Sequence, residues 1–170
     1  MKIATKNLSY EKAMARKRPK HHKPLRPNML LALVIRILAI FFFFFTGFTY
    51  KTHGMEKLGK KEACLILMNH SSFIDLKIAS RIFFPRRYGI VCTSDGFVGF
   101  CMELLMRLIG CIPTKKFVTD ISLVQDMEYL LKKKKCSVLM YPEASYSFDG
   151  TATPLPRKMG VLLKQLGLPV

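Results

Sequence analysis

Acidic residues are few in this chain: 11 Asp and Glu stand against 28 Lys and Arg, a formal charge of +17. An excess of one sign this large implies an anionic partner, namely nucleic acid, an anionic membrane surface, or acidic substrates such as phosphorylated lipids, coenzyme A or an acyl carrier protein. Charge alone does not choose among the three. The sequence lacks a recognisable nucleic-acid-binding motif and any aromatic-rich platform for single strands, so no nucleic acid is expected as partner. It also lacks C-x-x-C pairs. The five cysteines (Cys64, Cys92, Cys101, Cys111 and Cys136) are odd in number, and His21, His22, His53 and His70 make no zinc spacing with them. Structural zinc and a disulfide framework are thereby excluded, and no metal is expected at the functional site. Apolar neighbours, as in Ala63-Cys64-Leu65-Ile66, suit buried, reduced thiols in a cytosolic domain. There is no repeat with a period of 20 to 50 residues, which excludes solenoids and propellers.

Half of the 170 residues are apolar, enough for one domain with a core and too many for a disordered chain. Residues 1–28 form a basic arm with nine Lys or Arg and one acid, Glu11. The arm directly precedes an apolar segment, where each cation contributes about 1 kcal/mol of attraction to an anionic lipid surface. From Met29 to Phe48 the chain reads MLLALVIRILAIFFFFFTGF, with Arg36 as the only charge. That length suffices to cross a hydrocarbon core, and the segment is apolar on all sides. No small-x-small site follows it, which argues against a cleaved signal peptide. Cations lie on both flanks: the arm before, and Lys51, Lys57, Lys60 and Lys61 after. Both flanks are drawn to the cytoplasm, so residues 29–50 are expected to be a helix embedded from one face of the cell membrane. The domain that follows, 55–170, then lies on the cytoplasmic side. A full span is the alternative.

After this segment, apolar runs suited to strands alternate with helical patterns. Ala63–Met68, Tyr88–Thr93, Cys111–Pro113 and Ser137–Tyr141 read as strands. Helices are expected over Phe73–Phe84 (ended by Pro85), Phe97–Ile109, Asp120–Lys134 and Arg157–Leu166, with a turn at Ser94-Asp95-Gly96. The alternation predicts an α/β domain with a largely parallel central sheet flanked by helices. In such sheets chemistry gathers where strands end and loops begin. The last residues, Leu168-Pro169-Val170, read as the start of a further strand, so the domain is expected to be truncated at its C-terminus.

One such strand end carries Asn69-His70-Ser71-Ser72-Phe73-Ile74-Asp75. A histidine held by the strand, with an aspartate five residues on in the first helical turn, makes a general base. The carboxylate fixes the imidazole tautomer and stabilises the cation formed when His70 takes a proton. Ser72-x-x-Asp75 also fits a helix capping box, in which Asp75 merely satisfies a backbone amide. A second run, Tyr141-Pro142-Glu143-Ala144-Ser145-Tyr146-Ser147, follows another apolar strand. If both strands belong to one parallel sheet, the two loops share an edge, and an acid and small hydroxyls face the His/Asp pair.

These runs carry a family resemblance. NHSSFID matches the block N-H-x-S-x-x-D without a gap, YPEASYS resembles F-P-E-G-T-R-S, and Gly110-Cys111-Ile112-Pro113-Thr114-Lys115-Lys116 resembles G-x-I-P-V-D-R. Their order and separation over residues 55–170 resemble the glycerol-phosphate and lysophosphatidic acid acyltransferases. The resemblance implies that His70 deprotonates the acceptor hydroxyl and that Asp75 orients it. It implies a thioester donor, acyl-CoA or acyl-ACP, as co-substrate, and no cofactor. Glu143 and Ser145 fall at acceptor-site positions, and Lys116 falls on a phosphate-binding arginine. The expected partners are anionic membrane lipids, a lysophospholipid acceptor and the acyl carrier. Departures lie in the acceptor blocks: Ala144, Ser145 and Tyr146 replace Gly, Thr and Arg, and Lys115 replaces an acid. Tyr146 therefore removes a cation, which Lys115 partly restores. Another lysolipid or an aminolipid is the alternative acceptor, and a non-catalytic basic membrane-binding protein is the alternative function.

Overall fold

The computed structural model describes residues 21–47, 49–57, 59, 62–72, 74–94, 97, 99–114, 121–143, 146–147, 151, 154–156 and 159–167. Strands β1 (Leu65–Leu67), β2 (Tyr88–Thr93), β3 (Cys111–Thr114) and β4 (Ser137–Met140) form one sheet in the order β1-β4-β2-β3. Every neighbouring pair is parallel. Among the described residues five α-helices accompany it: α1 (Met29–Thr46), α2 (Asp75–Phe83), α3 (Phe100–Ile109), α4 (Ile121–Glu128) and α5 (Met159–Leu166). This is the expected α/β architecture, with a sheet that is parallel throughout.

The strands are mostly apolar, with Ser137 at the start of β4 a buried polar exception, as suits a parallel sheet covered on both faces. Successive side chains point to opposite faces. Leu65 and Val138 join Ile112, Met127, Leu130, Leu131, Cys136 and Leu166 in one core, on the side of α4 and α5. Cys64, Ile66 and Leu139 join Ala79 of α2 in the other. Full burial of each large side chain contributes about 1.5–3 kcal/mol, so the first cluster holds most of the core's stabilisation.

Element boundaries differ from expectation where the backbone demands it. The helix expected from Phe97 starts at Phe100, because Gly99 has φ of +80° and lies outside helical space. The helix expected to run to Lys134 is α-helical only to Glu128 and then widens into a π turn over Tyr129–Lys133. The wider turn accommodates burial of two consecutive side chains, Leu130 and Leu131, and Lys135 at φ of +49° ends it. The Ala63–Met68 strand narrows to Leu65–Leu67, the residues that pair with β4, its single neighbour among the described residues. Of the expected turn, Asp95 and Gly96 lie outside the described residues, as do Leu168, Pro169 and Val170.

Helix α1 begins at an Asn28 cap, whose side chain accepts hydrogen bonds from Leu30 N–H and Leu31 N–H, and ends at the left-handed Gly47. Among the described residues it is the one helix long and apolar enough to cross a membrane, judged by length and composition. It lies antiparallel along α2. The Arg36 guanidinium sits 3.6 Å from the Phe84 ring centroid, beyond the C-terminus of α2, and Lys77 in its first turn sits 3.4 Å from that of Phe42. Only Ala39 and Phe43 are buried, while Leu30, Leu38, Phe41, Phe44 and Phe45 stay largely exposed. The end of the basic arm is not wholly solvated. His21 meets Asp126 of α4 at 3.0 Å, Asn28 N–H donates to Leu108 O at 2.9 Å, and Pro24 and Pro27 are buried. Residues 1–20 lie outside the described residues.

Candidate active site

Leu67, the last residue of β1, is in register with Met140, the last residue of β4. The two strands are direct neighbours, so the loops that follow them emerge side by side at the C-terminal edge of the sheet. Met68 N–H still donates to Met140 O at 3.2 Å, and Ser147 N–H donates to His70 O at 2.6 Å, tying the second loop to the first.

Asp75 opens α2 and is buried, 4% exposed. Its carboxylate accepts four hydrogen bonds. His70 Nδ1 lies 2.9 Å from Oδ2, Ser71 N–H and Ser72 N–H donate to Oδ2 at 2.8 and 3.0 Å, and the Ser71 hydroxyl donates to Oδ1 at 3.0 Å. Burial pushes this carboxyl up, but the hydrogen bonds from Ser72, His70 and Ser71 outweigh it and hold it below the usual carboxylate range. An ionised carboxylate is acceptor-only, so Nδ1 carries the proton and Nε2 presents its lone pair. The capping alternative also holds in part: Asp75 reaches back to Ser72 N–H, and Asp75 N–H donates to Ser72 O at 3.1 Å. One side chain thus fastens the turn that leads into the helix and orients the base.

Two tyrosines press against the imidazole. The ring centroid of Tyr141 lies 4.1 Å from that of His70 with the planes 20° apart, and that of Tyr146 lies 4.2 Å away, tilted by 43°. Sequence reasoning gave neither residue a role toward His70. The signal was the position of Tyr141 at the end of the run that becomes β4, but its meaning depends on β1 and β4 being neighbours. Burial pushes the Tyr141 phenol up, and the charge of Asp75 and the neighbouring Tyr146 add to the effect, so it stays protonated at neutral pH.

Glu143 is half-buried in the second loop, next to the buried Pro142. Ser145, Lys115 and Lys116 lie outside the described residues. Gly110, the first residue of its block, adopts φ of +92°, and a Cβ there would come within 2.4 Å of Pro27 Cγ. This glycine therefore serves the seating of the arm that leads into α1.

Residues 49–170 match the model of the acyltransferase family. Among curated proteins, the chain is 28% identical over 126 residues to a chloroplastic 1-acyl-sn-glycerol-3-phosphate acyltransferase, BAT2, of Brassica napus. The match covers 71% of this chain and 36% of that protein, so the chain spans about a third of the length of the relative it matches. No solved structure matches.

Proposed function

The chain belongs to the acyltransferase family, and from that premise we propose that it moves a fatty acyl group from acyl-CoA or acyl-ACP to the free hydroxyl of lysophosphatidic acid, giving phosphatidic acid. The observation that carries this reading is the His70–Asp75 hydrogen bond of 2.9 Å at the edge of the sheet. His70 Nε2 takes the proton of the acceptor hydroxyl as its oxygen attacks the thioester carbonyl. Asp75 holds the ring and offsets the charge it acquires. Collapse of the tetrahedral adduct breaks the carbon–sulfur bond, and the departing thiolate takes the proton back from His70. Base catalysis of this kind contributes roughly 100- to 10,000-fold.

Glu143 and Ser145 shape the acceptor site in this reading, while Lys116, with Lys115 beside it, holds the acceptor phosphate. Lysine offers a point charge where arginine offers a two-pronged clamp. Residues 1–28 contact anionic headgroups, 29–50 embed in the cell membrane, and 55–170 form the acyltransferase domain on its cytoplasmic face. The exposed apolar surface of α1 supports the embedding of that segment.

The test is a thiol-release assay on the protein in detergent micelles, with acyl-CoA and acyl-ACP as donors and a panel of lysolipids with and without a phosphate monoester. Release that depends on lysophosphatidic acid is expected. Lys116→Ala should raise the KM for that acceptor and leave the donor's KM unchanged. Release that depends on phosphate-free lysolipids or an aminolipid alone would move the assignment to those acceptors. No acceptor-dependent release with any pair would leave a binding protein.

A further inference from the structure

We propose that Tyr141 and Tyr146 are positioning residues that stabilise the imidazolium form of His70 through their ring faces. The inference rests on the acyl-transfer reading, since only a base that becomes charged during turnover needs such stabilisation. Both ring centroids lie close to that of His70, at 4.1 and 4.2 Å, and the Tyr141 ring is nearly parallel to the imidazole. An aromatic face carries negative quadrupole potential, which discriminates a cation from a neutral ring and does so more strongly where water is excluded. Water is largely excluded here, for the His70 side chain is 20% exposed. Asp75 can compensate the charge only from the Nδ1 side, through a bond in the ring plane. The tyrosines act on the π face, which the carboxylate does not reach.

The ring of Tyr141, not its hydroxyl, contacts the imidazole. That hydroxyl is buried and, among the described residues, has no hydrogen-bond partner. A phenylalanine would keep the stacking and relieve an unsatisfied polar group. Tyr146 is 47% exposed, so it can be replaced with little loss of core packing. Among the described residues, the titratable groups against the imidazole are Asp75 from α2 and Tyr141 and Tyr146 from the loop after β4.

The experiment compares Tyr146→Leu and Tyr141→Leu with Tyr146→Phe and Tyr141→Phe in the full chain in detergent micelles. Two measurements are made: steady-state kinetics, giving kcat and KM with acyl-CoA and lysophosphatidic acid, and NMR of the His70 imidazole Hε1, giving the pH at which the ring takes up its proton. The leucine variants are expected to lose about tenfold in kcat with both KM values little changed. Their His70 midpoint should move to lower pH, and both phenylalanine variants should restore rate and midpoint. Leucine variants that keep the wild-type kcat and midpoint, or phenylalanine variants as impaired as leucine, overturn the proposal. If Tyr141→Leu does not fold, the exposed Tyr146 pair decides alone. If the wild-type protein transfers no acyl group with any donor and acceptor, the functional reading falls, and the NMR midpoint still decides the stacking: a downward shift in Tyr146→Leu supports it, and no shift overturns it.

Discussion

The two loops at the C-terminal edge of the sheet meet at His70 but are held by different means. The loop after β1 is self-contained: Asp75 gathers Ser71, Ser72 and His70 through bonds between residues three to five apart. The loop after β4 reaches the site across more than seventy residues, through Ser147 N–H on His70 O and through the rings of Tyr141 and Tyr146. The first loop carries the proton chemistry in a short cooperative knot. The second adjusts that chemistry through packing and loses little local structure when a side chain changes. Damage to the first should therefore be large and to the second graded.

Short of removing the base itself, the largest effect expected from testing this contrast is that of Asp75→Asn. An amide can hold the ring by donating to it or accepting from it, but it cannot offset a cation, and kcat should fall roughly 100-fold. A loss smaller than that of Tyr146→Leu would invert the ranking of the loops. Next comes Gly110→Ala, outside both loops. Its φ of +92° and a Cβ 2.4 Å from Pro27 Cγ predict about 1–3 kcal/mol of lost stability, read by thermal unfolding in detergent. It should also loosen residues 21–28, read as faster proteolysis there, with kcat of the intact fraction unchanged.

A pH series sharpens the contrast further. Because the Asp75 carboxyl is held low in the folded protein, its stabilising bonds are at full strength above the ordinary carboxylate pKa and are lost as pH falls through the lowered value. Below roughly pH 4 the stability gap between wild type and Asp75→Asn should shrink as the pH falls. A gap that widens with falling pH in that acid range would mean that the carboxyl is held high. The smallest effect is expected at the α1–α2 contact. Lys77→Met removes a cation 3.4 Å from the Phe42 ring centroid and should cost no more than about 1 kcal/mol. A larger loss would make α1 a structural part of the site.

What could be read from the sequence follows the same division. The His70/Asp75 knot lies within seven residues, so its geometry followed from a strand end and one helical turn. The α/β class followed from apolar runs that need cover on both faces. Sequence could not reveal that β4, the last of the four strands, inserts between β1 and β2 and so becomes the neighbour of β1. That insertion makes Tyr141 and Tyr146 neighbours of His70. The π turn after Glu128 was hidden for a related reason: it answers to the burial of Leu130 and Leu131, which only the packed core decides. The docking of residues 21–28 depends on a clear surface at Gly110, which a charge-rich stretch does not announce.

The most direct test of the central claim is the rate of lysophosphatidic acid acylation by His70→Ala beside the wild-type protein, under one set of detergent and donor conditions, with circular dichroism as the control for folding. His70 lies beyond the end of β1, and its side chain belongs to neither core cluster. The account predicts a folded protein whose transfer has dropped at least about 100-fold, the loss expected when a general base is removed. A folded His70→Ala that acylates the acceptor at near the wild-type rate would contradict it.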